Sequence, residues 1–224
     1  MTTHRTNNLP KAILCCVAIL TLSRPALPQN SSAVAIPQYD DKYSKLVRKL
    51  EAGQTNINYR DLRESFVDSQ QFKVLGERKP DLDTLRKTMH DLMKESKYPE
   101  ILDAAKKMLS IDYTDIEAHK ILQQTYKILG DGSNQRKYHD IEFGLLNSIV
   151  KSGDGKTCRT AWPVIQVTEE YFILDMLGAK VLQQSIDTTG GQCDRIEVQT
   201  DEGKKVYYFE ISKVFKGYNK RGIH

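Results

Sequence analysis

The sequence contains few cysteines, a single tryptophan and no apolar run long enough to cross a membrane. Its 224 residues include 4 cysteines, too few for a densely disulfide-bonded scaffold. The apolar run at residues 12–22 has 11 residues, whereas a membrane-spanning helix needs about 20. The hydrophobic fraction of 39% and the charged fraction of 28% are typical of a soluble globular protein of one large domain or two small ones.

The chain also lacks a strong net charge outside its first 35 residues. The formal net charge is +4, but residues 1–35 contribute Arg5, Lys11 and Arg24 and no acidic residue. The remainder has 30 of the 33 basic residues and all 29 acidic residues, a net charge of +1. Nucleic-acid binding depends on a strong positive charge, so we expect no nucleic-acid partner.

The first 35 residues have the layout of a secretory signal peptide. A polar, basic stretch precedes the apolar run, and Ala33 and Ala35 are the small residues that a signal peptidase recognises. Cleavage nearer residues 26–29 is one alternative, and an N-terminal helix packed in the core is another. We predict an exported protein, periplasmic or secreted, with a signal peptide at residues 1–35 and no membrane span after cleavage.

Cleavage leaves two cysteines, Cys158 and Cys193. In an oxidising compartment such a pair indicates one disulfide. The alternatives are a thiol nucleophile at Cys158 or metal ligation. Neither cysteine lies in a local metal-binding motif, and no histidine is close to Cys158 in the sequence. The disulfide is therefore the favoured prediction.

Residues 36–151 are predicted to be helical. The first helix shows apolar residues at helical spacing, namely Tyr43, Leu46, Val47 and Leu50. Asn58 is placed to cap a second helix, and residues 70–80 show no clear period and predict a loop. Thr114 and Glu117 have the spacing of a capping box at the start of a later helix.

Residues 97–131 resemble a tetratricopeptide unit, with a helix opening at Tyr98 and a second helix closing at Gly130. The departures are Tyr113 in place of the usual proline, His119 in place of a large aromatic and Gln123 in place of a small residue. About one and a half units are visible, which excludes a long solenoid. The resemblance predicts that four side chains are buried between the helical hairpins: Tyr98, Ala105, Leu122 and Tyr126.

Residues 152–224 are predicted to form a small module with a mainly antiparallel β-sheet and one short helix. Alternating apolar residues and glycine-containing turns predict strands at residues 161–167, 180–187, 193–200 and 204–212. Pro163 indicates an edge strand or a strand start, and a helix is expected from Thr168 to Leu177. The predicted fold class is α+β, with tetratricopeptide-like hairpins before the sheet module.

The segment from Ser152 to Thr157 ends in the Gly-Lys-Thr of a phosphate-binding loop. Val150 occupies the position where that loop needs its first glycine, and a helix precedes the segment instead of a strand. A tight turn is therefore the favoured interpretation. A weaker alternative is an anion contact through the loop's backbone amides and lysine, at Gly153, Asp154, Gly155 and Lys156.

No cofactor or metal is expected from the sequence. His139 and Glu142 have a spacing that places both on one helix face. Zinc usually takes at least three protein ligands, so this pair alone does not predict a metal site.

Several segments in a fixed order resemble domain-of-unknown-function family 4919. They are KLVRKLEAGQTNINYRDLRESF, LLNSIVKSGDGKT, AWPVIQVTEEYFILDMLG and the Gly-Gly turn, within residues 43–211. This family comprises uncharacterised exported proteins of Bacteroides type. The resemblance implies export and a shared architecture, and it implies no activity or catalytic residue.

Two classes of function stay open at this point. The first is a non-catalytic module that binds an unknown protein or peptide of the cell envelope, because paired helices of this type form a concave surface. The second is an envelope hydrolase whose active site is assembled from residues distant in sequence. A deep pocket with converging ionisable groups would favour the enzyme, and a shallow helical groove would favour binding.

Overall fold

The computed structural model of the protein describes the backbone of residues 33–220 and the side chains of residues 33–216. The predicted signal peptide lies outside the described residues except for its last three. The fold is α+β. The helices are α1 (Lys42–Glu51), α2 (Tyr59–Val67), α3 (Gln70–Glu77), α4 (Lys79–Lys94), α5 (Tyr98–Ile111), α6 (Ile116–Leu129), α7 (Gly132–Val150), α8 (Val167–Met176) and α9 (Ser212–Lys220). The strands are β1 (Trp162–Pro163), β2 (Lys180–Asp187), β3 (Cys193–Thr200) and β4 (Gly203–Glu210).

The predicted loop at residues 70–80 is wrong, because this segment contains α3 and the start of α4. Ser69 caps α3 by accepting a hydrogen bond from the Phe72 amide at 3.2 Å, and Phe72 and Leu75 pack in the core. A helix of two turns is too short for its apolar period to repeat. Pro80 lies in the first turn of α4, where its missing amide hydrogen costs nothing.

Helices α4 to α7 pack each on the next along the chain. Of the four side chains predicted to be buried, Ala105, Leu122 and Tyr126 are buried and Tyr98 is half-buried. Gly130 ends α6 with a φ of 77°, a left-handed conformation that glycine adopts without strain.

The predicted capping box at the start of α6 is wrong. Asp115 is the capping residue, and its carboxylate accepts from the Ala118 amide at 3.0 Å. The Thr114 hydroxyl instead donates to the buried Asp112 carboxylate at 2.6 Å. Glu117 contacts Arg86 of α4. A long-range ion pair and a buried acceptor therefore replace the local capping interaction.

The sheet has the strand order β1-β4-β3-β2. The three long strands are antiparallel, and β1 pairs with β4 in parallel. The bounds of β2 and β3 are those predicted from the sequence, and β1 is an edge strand, as Pro163 indicates. The prediction was wrong at β1, which ends at Pro163 instead of residue 167. It was also wrong at the end of β4, because Ser212 begins α9, a second helix of the module, after its amide donates to the Glu210 carboxylate at 2.8 Å.

Two glycines allow close packing that a side chain would block. A Cβ atom on Gly144 of α7 would overlap the ring of Tyr59 on α2. A Cβ atom on Gly155 would lie 2.8 Å from the ring of Trp162. These contacts hold α7 on α2 and the loop after α7 on the sheet module.

None of the helices in residues 33–220 is both long enough and apolar enough to span a membrane.

Candidate binding cleft

A cleft of about 390 Å³ opens where α4, the first turn of α6 and the outward face of α8 meet. Its apolar lining consists of Ile116, Val167, Tyr171 and Phe172. Its ionisable lining consists of Arg86, Asp115, Glu117, Glu169 and Asp175. The walls therefore combine aromatic and aliphatic surface with four carboxylates and one guanidinium.

Arg86 links two of these carboxylates. Its guanidinium contacts Asp115 and Glu117 at once, and His90 lies 2.9 Å from the other carboxylate oxygen of Glu117. Burial acts to lower the pKa of Arg86, but the two carboxylates overcome this effect and raise the pKa above its usual value. Arg86 is therefore a fixed cation that neutralises part of the cleft's negative charge.

A buried ion pair holds α8 in place beneath the cleft. Arg63 of α2 donates to both carboxylate oxygens of Glu169, at 2.8 and 2.6 Å, and both side chains are 3% exposed. Arg63 also donates to the Pro163 carbonyl at 2.9 Å, and Glu169 accepts from the Ile165 amide at 2.8 Å. Each charged group thus has the additional hydrogen bonds that a buried ion pair needs.

The family model described as Domain of unknown function (DUF4919) matches residues 34–220. The chain belongs to this family. Neither the comparison with curated proteins nor the comparison with solved structures gave a match. The match includes almost all of the described DUF4919 fold, with the helices, the sheet and the cleft between them.

A second buried carboxyl lies behind the cleft wall of this DUF4919 domain. Asp112 accepts hydrogen bonds from the Thr114 amide at 2.8 Å and from the Gln166 side chain at 2.6 Å. Burial, together with the nearby charge of Asp115, raises the pKa of Asp112 to about 6. Thr114 and Gln166 line the cleft, so this carboxyl is separated from it by one layer of side chains.

Glu170 is the most perturbed acid of α8. It is fully buried, and neither carboxyl oxygen has a hydrogen-bond partner among the described residues. Burial, together with the nearby charge of Asp194, raises the pKa of Glu170 to about 9. Asp194 itself accepts from the Gln184 side chain at 2.8 Å. Glu170 is therefore protonated and uncharged at neutral pH.

A polar cluster lies inside the helical hairpins, away from the cleft lining. His119 is fully buried, and its Nε2 donates to the Tyr113 carbonyl at 2.9 Å. Burial lowers the pKa of His119 to about 4, so the ring is neutral. Glu51 accepts from the Tyr113 hydroxyl at 2.5 Å and from Lys137 at 3.0 Å. These bonds join α1 to α7 and to the turn before α6.

The predicted anion-contact loop is a closed turn. The amides of Asp154 and Gly155 both donate to the Thr160 carbonyl, at 3.1 and 3.0 Å, and the Lys156 amide donates to the Asp154 carboxylate at 3.0 Å. Gly153 packs its Cα against the Thr160 backbone. The backbone amides of Asp154, Gly155 and Lys156 are thus used within the protein. An anion contact at the Lys156 side chain stays a prediction.

The disulfide prediction is confirmed. Cys158 and Cys193 are bonded, with their Cα atoms 5.7 Å apart. The bridge joins the 3-10 turn at Cys158–Thr160 to the start of β3. The alternative interpretation of Cys158 as a free nucleophile is therefore wrong for this structure.

His139 and Glu142 do not meet further ligands. The His139 ring stacks on Phe143 with the ring centres 5.3 Å apart, and its Nδ1 lies 3.6 Å from Asp140. Within residues 33–220 no group of three His, Cys, Asp or Glu side chains is arranged to hold a metal ion.

Sequence reasoning did not identify any residue of the cleft as functional. One usable signal was present: Glu169 and Glu170 stand side by side in a helix that is otherwise largely apolar. Such acids are almost never fully buried without a partner or a shifted pKa. Arg63, which pairs with Glu169, and Asp194, whose charge acts on Glu170, both lie far away in the sequence, so the pattern could not indicate them.

Proposed function

We propose that the protein is an exported, non-catalytic module of the cell envelope that binds a protein or peptide segment in the cleft between α4, α6 and α8. The observation that carries this proposal is the pairing of the cleft's charges. Arg86 is engaged by two carboxylates, and Glu169 is engaged by Arg63. Groups held this way are suited to recognise a partner electrostatically, while apolar side chains supply the contact surface.

The cleft favours a segment that carries a basic residue beside an aliphatic one. Arg63 already neutralises Glu169. The other three carboxylates of the lining face one guanidinium, and this excess negative charge attracts lysine or arginine. The Phe172 ring already faces a cation, since Lys120 Nζ lies 5.3 Å from its centre. Tyr171 is 45% exposed and offers a ring for an aliphatic side chain.

The succession of hairpins from α4 to α7 supports the same class of function. Tetratricopeptide-like hairpins present helix surfaces to extended segments. In this chain the hairpins supply Arg86 and the first turn of α6, and α8 supplies the opposite wall.

A binding measurement tests the proposal directly. The probe is a fluorescein-labelled peptide of alternating lysine and leucine, and the readout is fluorescence anisotropy at low and high salt. We expect binding that weakens with salt, and affinity losses of roughly tenfold for Asp175→Lys and for Phe172→Ala. Asp201→Lys in the exposed β3–β4 turn makes the same charge change outside the cleft and serves as the control. Equal losses for Asp175→Lys and Asp201→Lys would contradict a cleft site.

Export rests on the order of basic, apolar and small residues at the N-terminus. Val34 is 4% exposed and belongs to the core, so cleavage after Ala35 would remove a core residue. Cleavage nearer residues 26–29 would keep it. Intact-mass analysis of the protein from its native host should give a mature chain that begins between residues 27 and 30. A chain that still begins at Met1 would contradict export by this route.

Hydrolysis is the second candidate function, and the Asp112 carboxyl favours it. With a pKa of about 6, this group is close to the range in which general bases operate. A panel of nitrophenyl esters and glycosides tests the alternative with the purified protein. Turnover that is lost in Asp112→Asn, while the labelled peptide still binds, would favour the hydrolase over the binding module.

A further inference from the structure

Strand β2 forms an outer edge of the sheet. Among residues 33–220, β3 pairs with one side of β2 and no strand pairs with the other. Leu182 and Ile186 are 46% and 58% exposed. The eight-residue strand has no proline, and its only charges are Lys180 and Asp187 at its two ends. Edge strands that stay single usually carry central charges, prolines or a covering element.

A β-bulge determines which side chains of β2 share a face. Val181 pairs with Val198 of β3, but Gln183 pairs with Glu197, so Leu182 is the extra residue. The pairing then assigns the β2 side chains to two faces. One face carries Val181, Gln184 and Ile186, and the other carries Lys180, Gln183, Ser185 and Asp187.

This arrangement makes β2 complementary to a second copy of itself. An antiparallel pair related by a two-fold axis through Gln184 places Lys180 of each copy opposite Asp187 of the other. The same register places Val181 opposite Ile186. In a regular strand, residues 180 and 187 would point to opposite faces and could not pair this way. The extra residue at the bulge brings them to the same face.

We propose that the protein forms a two-fold symmetric dimer through antiparallel pairing of β2 with β2. The occupant of the edge is a second copy of this chain, because both end charges find an opposite charge when the strand pairs antiparallel with its own sequence. Cross-strand pairs of opposite charge and of aliphatic side chains are both stabilising. The proposal depends on the edge strand and is independent of the cleft.

The neighbouring groups favour the ionised Asp187 that this pairing needs, because hydrogen bonds from Thr189 and the nearby charge of Arg195 lower the pKa of Asp187. On β3, Arg195 and Glu197 share the face of Lys180 and Asp187, and they pair with each other at 2.7 Å. One carboxylate oxygen of Asp187, Oδ1, accepts hydrogen bonds from the amide and the hydroxyl of Thr189. Lys180 is exposed.

Sedimentation velocity over a range of protein concentrations tests the dimer with the purified chain. We expect the wild type to dimerise reversibly. Lys180→Asp and Asp187→Lys should each raise the dimer dissociation constant by roughly tenfold or more, because each variant places like charges opposite each other twice. Lys49→Asp on α1 makes the same charge change as Lys180→Asp but lies outside the edge strand, so this variant should dimerise as the wild type does.

Mixing the two single variants provides the decisive measurement. A chain with Lys180→Asp and a chain with Asp187→Lys form two opposite-charge pairs with each other, so the mixture should recover dimer that neither variant forms alone. Recovery also shows that both variants are folded. A wild type that stays monomeric, or a mixture that stays monomeric when the wild type dimerises, would overturn the proposal.

Discussion

The helical region and the sheet module differ in what stabilises them. Among the largest fully buried side chains, Tyr43, Phe66, Tyr113 and Tyr138 belong to the helical region. In the sheet module, most of β2 is exposed, and a disulfide joins the segment before β1 to β3. A small unit with a thin core needs a cross-link or an external support. The module has both, since the ion pair beneath α8 ties it to α2.

The largest expected effect comes from separating the two regions. Arg63→Met leaves the Glu169 carboxylate buried without its partner, which should lower the free energy of unfolding by about 3–5 kcal/mol. Urea unfolding followed by circular dichroism measures the loss. Arg60→Met, on the same helix but at an exposed hydrogen bond to Ser152, should cost less than about 1 kcal/mol. Equal losses for both variants would show that the buried pair does not hold the regions together.

Removing the cross-link should affect the sheet module first. The double variant Cys158→Ser and Cys193→Ser opens a loop with a sequence separation of 35 residues. It should lose about 3–4 kcal/mol in the chain-entropy description. Relative to the wild type, the variant should show a larger increase in the rate of hydrogen exchange in β2 to β4 than in α5 and α6. Thiol counting on the native protein is the independent check, and two reactive thiols without reductant would contradict the bridge.

The helical region should respond to loss of core volume. Leu122→Ala removes a fully buried side chain between the hairpins and should cost about 3 kcal/mol. Ile128 is on the same helix and 60% exposed, so Ile128→Ala should change stability by less than about 0.5 kcal/mol. If Leu122→Ala also costs less than 0.5 kcal/mol, the hairpin packing is not the source of stability in this region.

Substitution of the two adjacent glutamates of α8 should change the free energy of unfolding in opposite directions. Because the folded pKa of Glu170 is about 9, the folded state holds a proton that the unfolded state loses above about pH 4.3. Stability therefore falls as pH rises between these two values. Glu170→Gln removes this cost and should stabilise the protein by about 2 kcal/mol at pH 6, with a larger gain at higher pH.

Glu169→Gln is the matched control for that measurement. It removes the counter-ion of Arg63 and should destabilise the protein at every pH near neutrality. Thermal unfolding of both variants from pH 5 to pH 9 gives the comparison. A pH-independent difference between Glu170→Gln and the wild type would contradict a protonated Glu170.

The sequence predicted elements whose signals are local. The bounds of β2 and β3 followed from alternating side chains and the glycine turn between them, and the Asn58 cap is confirmed by its 3.2 Å bond from the Asp61 amide. Helix α3 was missed because two turns show too little of the helical period. At the start of α6, the capping box failed because Glu117 pairs with Arg86 from another helix.

The candidate cleft could not be predicted for a different reason. Arg63 and Glu169 are separated by 106 residues in the sequence, and the lining comes from α4, α6 and α8. Each of these side chains looks like an ordinary surface charge or an ordinary helix residue in its own segment. Their roles arise only when the chain is folded. The disulfide was predictable because residues 36–224, which follow the predicted signal peptide, contain only one pair of cysteines.

The pairing of β1 with β4 has a consequence for the rate of folding. Strands β2, β3 and β4 follow one another through short turns. Strand β1 pairs with β4 although α8, β2 and β3 lie between them in the sequence. Closing a long loop costs more entropy than closing a short one, so this pairing should form late. The bond between Cys158 and Cys193 shortens the path from β1 to β4. Refolding of the oxidised chain should therefore be faster than refolding of the reduced chain. The largest difference should be in how soon the backbone amides of β1 become protected from hydrogen exchange.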